Sequence, residues 1–380
     1  MIACLTLLPP SPSGVAGVSV EFLSRLMRRG EDVKIFVGDM RSRLALPGWP
    51  IYDARKFEGD GPRRMYHLGN NKMHRFAYDA ALRWPGVVVF HDVLQQHMLL
   101  GESWGAWERE FAFTYGERGR EIAANLRDGI PATHEGFFRY PLVKRVVEAS
   151  RRVIVTNPGG RARVLRESPS ADVRVIPLSF GPQPSRELTR WEARAALELP
   201  QDAFIVGCFG YMREARQLPT VLRVYEEFQR RTPRAQFVLV GEFTTPEQEH
   251  FLSPRLRALG VRRPGHVSDA EMMRWGAACD VVVNLRHPSA GESSGILLQS
   301  MRLGLPVIVT DSAEVADYPD DACIKIAHGE MEEAMLLEFL VALEKNPELG
   351  AAIGAKAREY VAREHDPEHA IDLYLEALEP

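Results

Sequence analysis

Cysteine is scarce. The four in 380 residues, Cys4, Cys208, Cys279 and Cys323, lie far apart, and no Cys-x-x-Cys or metal spacing occurs. Each sits in or beside an apolar strand-like run, as a small buried hydrophobe in a reduced compartment would. Long apolar runs are lacking too: none approaches the ~20 residues that cross a bilayer. The opening MIACLTLLPP has no basic flank, so it reads as a first strand and not as a signal peptide. Charge of one sign is lacking, with a net charge of −4 that gives no reason to expect nucleic acid as a partner. There is no low-complexity tract, no sequence repeat, no P-loop and no Asp-x-Asp pair for a metal-held diphosphate. The expectation is a cytoplasmic protein, with peripheral contact at an inner membrane surface left open.

The length suffices for two domains of ordinary size, and 45% hydrophobic with 26% charged residues suits a globular chain. Short apolar runs alternate with amphipathic segments. Strands are expected at Ile2–Leu8, Val33–Val37, Val87–Phe90, Val153–Thr156 and Val173–Ile176, with a helix from Gly17 to Arg29. Ser179–Ala203 is polar and carries three prolines, which marks a linker. A second series follows: Ile205–Phe209, Phe237–Val240, Val281–Leu285, Val307–Thr310 and Ala322–Ile326. The fold class is therefore α/β, with two Rossmann-like, doubly wound parallel-sheet domains facing a cleft. The expected division is 1–180, 181–364, and a final segment 365–380. There His365-Asp366-Pro367 breaks a helix that then crosses back to the first domain.

The richest stretch is HPSAGESSGILLQSMRLGLPVIVTD, His287 to Asp311. It reads as a glycine-containing loop, a helix from Ile296 to Leu303 stopped by Gly304, and a strand. Such a unit points free backbone N–H groups at an anion. Glu292 would be repelled by phosphate, so it faces something neutral, such as sugar hydroxyls, which a carboxylate accepts from strongly. Together these features suggest a sugar nucleotide. The plainer alternative is an acid favouring a helix N-terminus, worth ~0.3–1 kcal/mol.

Other segments fall in a telling order: PPSPSGVAGVSVEFLSRLMRRGEDVKIF near the start, YHLGNN, PGVVVFHD, VIVTN followed by VRVIPL, then NLRHPSAGESSG, LGLPVIVTD and DYPDDA. With this set the chain resembles the family 4 (group 1) retaining glycosyltransferases of GT-B architecture over nearly its whole length. The resemblance implies that Glu292 approaches the donor sugar, and that Gly291 and the N–H groups of Ser293, Ser294 and Gly295 hold its diphosphate. It implies a cation after the strand that ends at Gly210. The family's usual Arg is replaced by Tyr211, Arg216 stands at the position of the family's Lys, and Arg213 is close enough to substitute. A guanidinium binds phosphate bidentately; the alternative is a solvated charge run, Arg-Glu-Ala-Arg.

The family's second acid is absent. Position 300 is Ser, and Gln299 stands where the flanking residues would place that Glu against the ribose. The resemblance puts Gly14 and Gly17, expected in the loop after the first strand, by the diphosphate or acceptor; ordinary turn glycines are the alternative. His91, at the end of a parallel strand, is implied beside the reacting centre, with Asp92 orienting it or capping the next helix; a structural histidine is the alternative. His97, His134 and His287 are weaker candidates. Val267, in Gly265–Asp269, is implied to hold the base through main-chain groups.

The expected activity is transfer of a sugar from an NDP-sugar donor, UDP- or GDP-linked, to an acceptor hydroxyl on a glycan, lipid-linked or small molecule, with retention. Arg216, Glu292 and His91 are the expected catalytic residues, with no cofactor and no metal. A non-catalytic sugar-nucleotide-binding protein and a nucleotide-sugar epimerase are the alternatives. A homodimer stays open. The segment Trp104–Arg127 mixes aromatic and charged residues, as a docking surface for a large acceptor or a second subunit would.

Overall fold

The computed structural model describes residues 1–129, 135–180 and 188–379. The chain forms two units. The first comprises Met1–Gly181, Pro288–Ser293 and Asp366–Pro380; the second comprises Pro182–His287 and Ser294–His365.

The first unit is built on seven parallel strands: β1 (Ile2–Leu5), β2 (Val33–Val37), β3 (Ile51–Asp53), β4 (Arg63–Leu68), β5 (Val87–Phe90), β6 (Arg152–Val155) and β7 (Val173–Val175). Their order is β3-β2-β1-β4-β5-β6-β7. Side chains alternate across the sheet. Ala3, Leu5, Tyr66, Leu68, Val88 and Phe90 enter the core on one face. Ile2, Cys4, Met65, Val87, Val89 and Ile154 enter the core on the other. Both faces are covered, which is why β1 and β5 read as unbroken apolar runs. The order reverses between β1 and β4, so the crevice at their carboxyl ends is the expected ligand position of such a sheet.

The second unit repeats the plan with β8 (Phe204–Phe209), β9 (Ala235–Val240), β10 (Arg262–Gly265), β11 (Val281–Asn284), β12 (Val307–Thr310) and β13 (Ile324–Ile326). The order is β10-β9-β8-β11-β12-β13, so the reversal falls between β8 and β11.

Three strands, β3, β4 and β10, go beyond the sequence expectations. The first helix starts earlier than expected, at Gly14, because the Ser13 hydroxyl accepts from the Val15 amide. Gly14 and Gly17 are therefore helical residues and not loop glycines. A Cβ added at either would meet nothing within 4 Å, so no close approach demands glycine there. The polar stretch expected as a linker is not structureless throughout. Residues 181–187 lie outside the described residues, but Arg190–Ala196 is a helix opened by a Thr189/Glu192 capping box. Its buried Arg194 donates to Asp280, 2.6 Å away, and to the carbonyls of Ala278 and Gln201.

The final helix, Pro367–Ala377, begins at Asp366, whose side chain accepts from the His369 amide at 2.7 Å, with proline in its first turn. It lies against the helix Gly14–Arg28. Glu368 receives hydrogen bonds from Arg25 and Arg29, and the Phe22 and Tyr374 rings are 4.7 Å apart. All four cysteines are buried and free. Among the described residues no helix is long and apolar enough to cross a membrane.

Candidate functional site

In the second unit, the helix Gly295–Arg302 begins beside the reversal between β8 and β11. Ser294 is its N-cap, and its hydroxyl accepts from the Leu297 amide at 3.2 Å. The hydroxyl also accepts from Asn284 Nδ2 at 3.1 Å. The other end of that amide, Asn284 Oδ1, accepts from Arg216 Nη1. One buried asparagine at the end of β11 thus ties the guanidinium to the cap of the helix. Gly210, at φ +94°, leaves room for this: a Cβ there would stand 3.0 Å from Arg216 Nη2 and 3.3 Å from Ile296 Cγ1. Arg216 and the first turn of the helix therefore converge, and both present positive charge or partial charge. The charged group is the larger contributor, ~1.5–3 kcal/mol per hydrogen bond against ~0.3–1 for a helix terminus.

Arg213 differs from Arg216. It is exposed and precedes the short helical turn Glu214–Arg216, so the solvated-charge reading suits it, while Arg216 is buried. Ser300 is buried and its hydroxyl donates to Ile296 O at 2.8 Å, satisfied within its own helix. Gln299 is half-buried and lines a small pocket with Phe209, Met272, Met273, Ile296 and Leu303. Val267 is half-buried, directly before the capping box formed by Ser268 and Glu271.

The six residues Pro288–Ser293 count with the first unit. Asn157 caps the helix Pro158–Glu167 by accepting from the Gly160 amide at 2.7 Å. Its Nδ2 donates to Gly291 O and to Ser293 Oγ, each at 3.1 Å. The Ser293 hydroxyl donates in turn to Thr156 O at 3.1 Å. Arg163 donates to Ser289 O at 2.8 Å. Gly291 takes φ +81°, and a Cβ on Gly160 would come within 3.3 Å of Gly291 O, so glycine at both positions permits the approach. Inside this loop Glu292 Oε2 accepts from the Ala290 amide at 2.8 Å. The letters Gly291 to Gly295 also spell Gly-x-Ser-x-Gly, a nucleophile-elbow pattern. The Ser293 hydroxyl bonds to Asn157 and Thr156, and no histidine is among its partners, so that chemistry is not assembled.

His91 follows β5, and its amide donates to Leu68 O at 2.8 Å, extending the β4–β5 ladder. Its ring Nε2 is 2.8 Å from Nδ1 of His67, a fully buried residue of β4. Nearby, the buried His74 donates from Nδ1 to His67 O at 3.0 Å. Burial holds all three rings neutral: His67 is pushed down to about 3, His74 to about 4, and His91 well below the ordinary histidine value. Asp92 does not cap a helix, since the next one, Gln96–Leu100, starts at Gln95; its Oδ2 accepts from the Asn70 amide at 2.9 Å.

Of the weaker candidates, His97 pairs with the Asn70 side chain at 2.7 Å, His287 stacks on His328 at 3.6 Å, and His134 lies outside the described residues. Among the described residues no group of three or more His, Cys, Asp or Glu could hold a metal ion. The aromatic segment expected as a docking surface divides between core and surface, with Trp104 exposed at its start. Trp107 and Phe111 are fully buried, and the exposed Phe113 carries the Arg145 guanidinium 3.8 Å above its ring.

Sequence reasoning missed Asn157, Arg163, Asn284 and His67. Asn157 had a helix-cap signal, and Asn284 was a polar residue closing an apolar strand, but neither pattern reveals a partner far along the chain.

Comparison with known proteins agrees with this layout. Residues 216–376 match the family model described as glycosyl transferase-like. The chain is 25% identical over 396 residues to the D-inositol 3-phosphate glycosyltransferase of Stackebrandtia nassauensis, covering 96% of this chain and 84% of that one. Among solved structures, Anabaena Alr3699/HepE in complex with UDP-glucose superposes with a TM-score of 0.70 at 16% identity, over 100% of this chain and 99% of its own. WaaG, a glycosyltransferase involved in lipopolysaccharide biosynthesis, gives 0.65 at 15% identity, over 98% and 99%. At such identities the structures bear on the fold.

Proposed function

Since the chain is a glycosyltransferase with two GT-B-type parallel-sheet units, we propose that it transfers a sugar from a nucleoside diphosphate sugar to an acceptor hydroxyl with retention of anomeric configuration. The observation that carries this reading is the convergence of buried Arg216 with the start of the helix Gly295–Arg302. Two sources of positive charge at one point suit a diphosphate that gains charge as it leaves. Under this proposal Arg216 and the N–H groups of Ser293, Ser294 and Gly295 take that charge, so the chemistry needs no bound metal. Glu292 accepts from the sugar hydroxyls. The acceptor hydroxyl attacks from the face the diphosphate leaves, and His91 accepts from a substrate hydroxyl. Gln299 and its apolar neighbours receive the ribose and base, with Val267 contributing main-chain groups. The free, buried cysteines support a cytoplasmic place of action.

The test is to incubate purified protein with UDP- and GDP-sugars and a panel of hydroxyl acceptors that includes D-inositol 3-phosphate. Release of nucleoside diphosphate, and the anomeric coupling of the product by proton NMR, are the readouts. Acceptor-dependent release with an unchanged anomeric configuration is expected. Donor binding in calorimetry without turnover would instead make this a sugar-nucleotide-binding protein, and donor conversion without acceptor would make it an epimerase.

A further inference from the structure

The sheet register sets His67 and His91 on one face of neighbouring strands. His67 of β4 stands opposite Val89 of β5, and His91 lies two residues beyond Val89. That face is the one on which Met65 is buried. The His67 ring therefore has two polar neighbours, Met65 Sδ at 3.2 Å from Nε2 and His91 Nε2 at 2.8 Å from Nδ1. The Phe22 ring stands 5.7 Å away, and His67 is buried.

We infer that His67 is a positioning residue that fixes His91 in one tautomer, with hydrogen on Nε2 and a bare lone pair on Nδ1. A neutral imidazole carries one N–H, and a thioether sulfur only accepts. If the His67 hydrogen is on Nε2, it donates to Met65 Sδ, and Nδ1 is left to accept from His91 Nε2–H. Both ring nitrogens are then satisfied. If it is on Nδ1, it donates to His91, and a nitrogen lone pair faces a sulfur lone pair at 3.2 Å in a buried place. The first arrangement makes one more bond and leaves nothing buried unmet, so it is favoured. The depressed pKa values of both rings remove the doubly protonated alternative near neutral pH.

The consequence lies at the other side of His91. Its Nδ1 makes no hydrogen bond among the described residues, and the residue is half-buried and not enclosed like His67. In the fixed tautomer this atom can only accept. It is suited to hold a substrate hydroxyl by taking the hydroxyl's hydrogen in a hydrogen bond, and it cannot donate to a leaving phosphate. This role rests on the sugar-transfer reading; the tautomer itself does not.

The experiment is a long-range proton–nitrogen correlation spectrum of the full chain labelled with nitrogen-15 histidine, at pH 7.5. His91 is assigned by its loss in His91→Gln. A protonated Nε2 and an unprotonated Nδ1 at His91 are expected, and a protonated Nδ1 would overturn the inference. Met65→Leu keeps the volume and removes the sulfur acceptor, so a minor population with protonated Nδ1 should emerge. An unchanged spectrum there would count equally against the inference. His67→Phe should lower kcat by about tenfold, the order of one hydrogen bond, with the donor KM changed much less. Equal loss in kcat and in thermal stability with the His91 tautomer preserved would reduce His67 to packing. If no donor turns over at all, the proposed function fails while the spectrum still decides the tautomer.

Discussion

The two units share the order of their first six strands and differ in what they place at the carboxyl ends of those strands. In the second unit the reversal between β8 and β11 gathers positive charge, Arg216 and a helix start, tied together by the Asn284 amide. In the first unit the carboxyl ends of β4, β5 and β6 gather neutral hydrogen-bonding groups: His67, His91 and Asn157. The same scaffold can therefore serve two tasks. A developing negative charge is met most effectively by fixed positive groups held out of water. Hydroxyls are met by groups with a defined donor or acceptor face. The strand ends supply the place and the side chains divide the work.

The largest expected break of that division is at Arg216. Arg216→Met should lower kcat by about 10²–10³-fold, the order seen when one fixed transition-state donor is lost. Arg216→Lys should recover part of it, since the charge returns without the planar fork. Steady-state release of nucleoside diphosphate reads both. A loss below about tenfold would mean that the second unit does not carry the charge.

The next effect tests the neutrality of the first unit through stability. His74 and His67 have folded-state values depressed to about 4 and about 3, below the ordinary histidine value. The unfolded chain then binds more protons in this window, so stability is complete above about pH 6.5 and falls as pH drops towards 4. His74 alone would contribute about 3 kcal/mol of that loss. Denaturant unfolding of the native chain and His74→Gln between pH 7 and 4 should give the shallower pH slope in the variant. Coincident slopes would show that His74 does not carry this neutrality.

How much of this was readable before folding depends on the kind of signal. β5 and β12 were legible because VVVF and VIVT are apolar throughout, as strands buried on both faces must be. β4 was not, because RRMYHL opens on two arginines and carries His67, whose burial depends on neighbours distant in sequence. β10 has the least signal of all: RRPG is mostly exposed and contains proline, which only an edge strand tolerates. In the site, Glu292 and Arg216 stood out through motif order. Asn157 and Asn284 did not, because an asparagine's role is set by what its two ends meet. Gly14 and Gly17 misled for the opposite reason: glycine suggests a turn, yet the Ser13 cap starts the helix before them.

Within the sugar-facing loop, Glu292→Gln sharpens the comparison further. It preserves shape and removes the charge assistance of a carboxylate, so kcat/KM should fall by about 10–100-fold. The nucleoside diphosphate product, which does not touch Glu292 under the proposed mechanism, should still bind Glu292→Gln in calorimetry as it binds the native chain. Weaker product binding would move Glu292 from the sugar to the phosphates.

The smallest effect is expected at Asn157, and it separates holding the helix from holding the loop. Asn157 Oδ1 caps the helix Pro158–Glu167, while its Nδ2 holds Gly291 O and Ser293 Oγ. Asn157→Asp keeps an equally good cap and removes both donors, placing a carboxylate oxygen against the Gly291 carbonyl. Stability should therefore fall by about 1–3 kcal/mol, because the kept cap is offset by a buried carboxylate facing a carbonyl, and kcat/KM should drop about tenfold as the Glu292 loop loses its anchor. Asn157→Ala loses the cap, which costs about 1 kcal/mol in denaturant unfolding, but sets no charge against the Gly291 carbonyl. If Asn157→Asp kept full activity, Arg163 and the close approach of Gly160 to Gly291 would be enough to seat the loop, and the first unit would hold the loop by shape more than by hydrogen bonds.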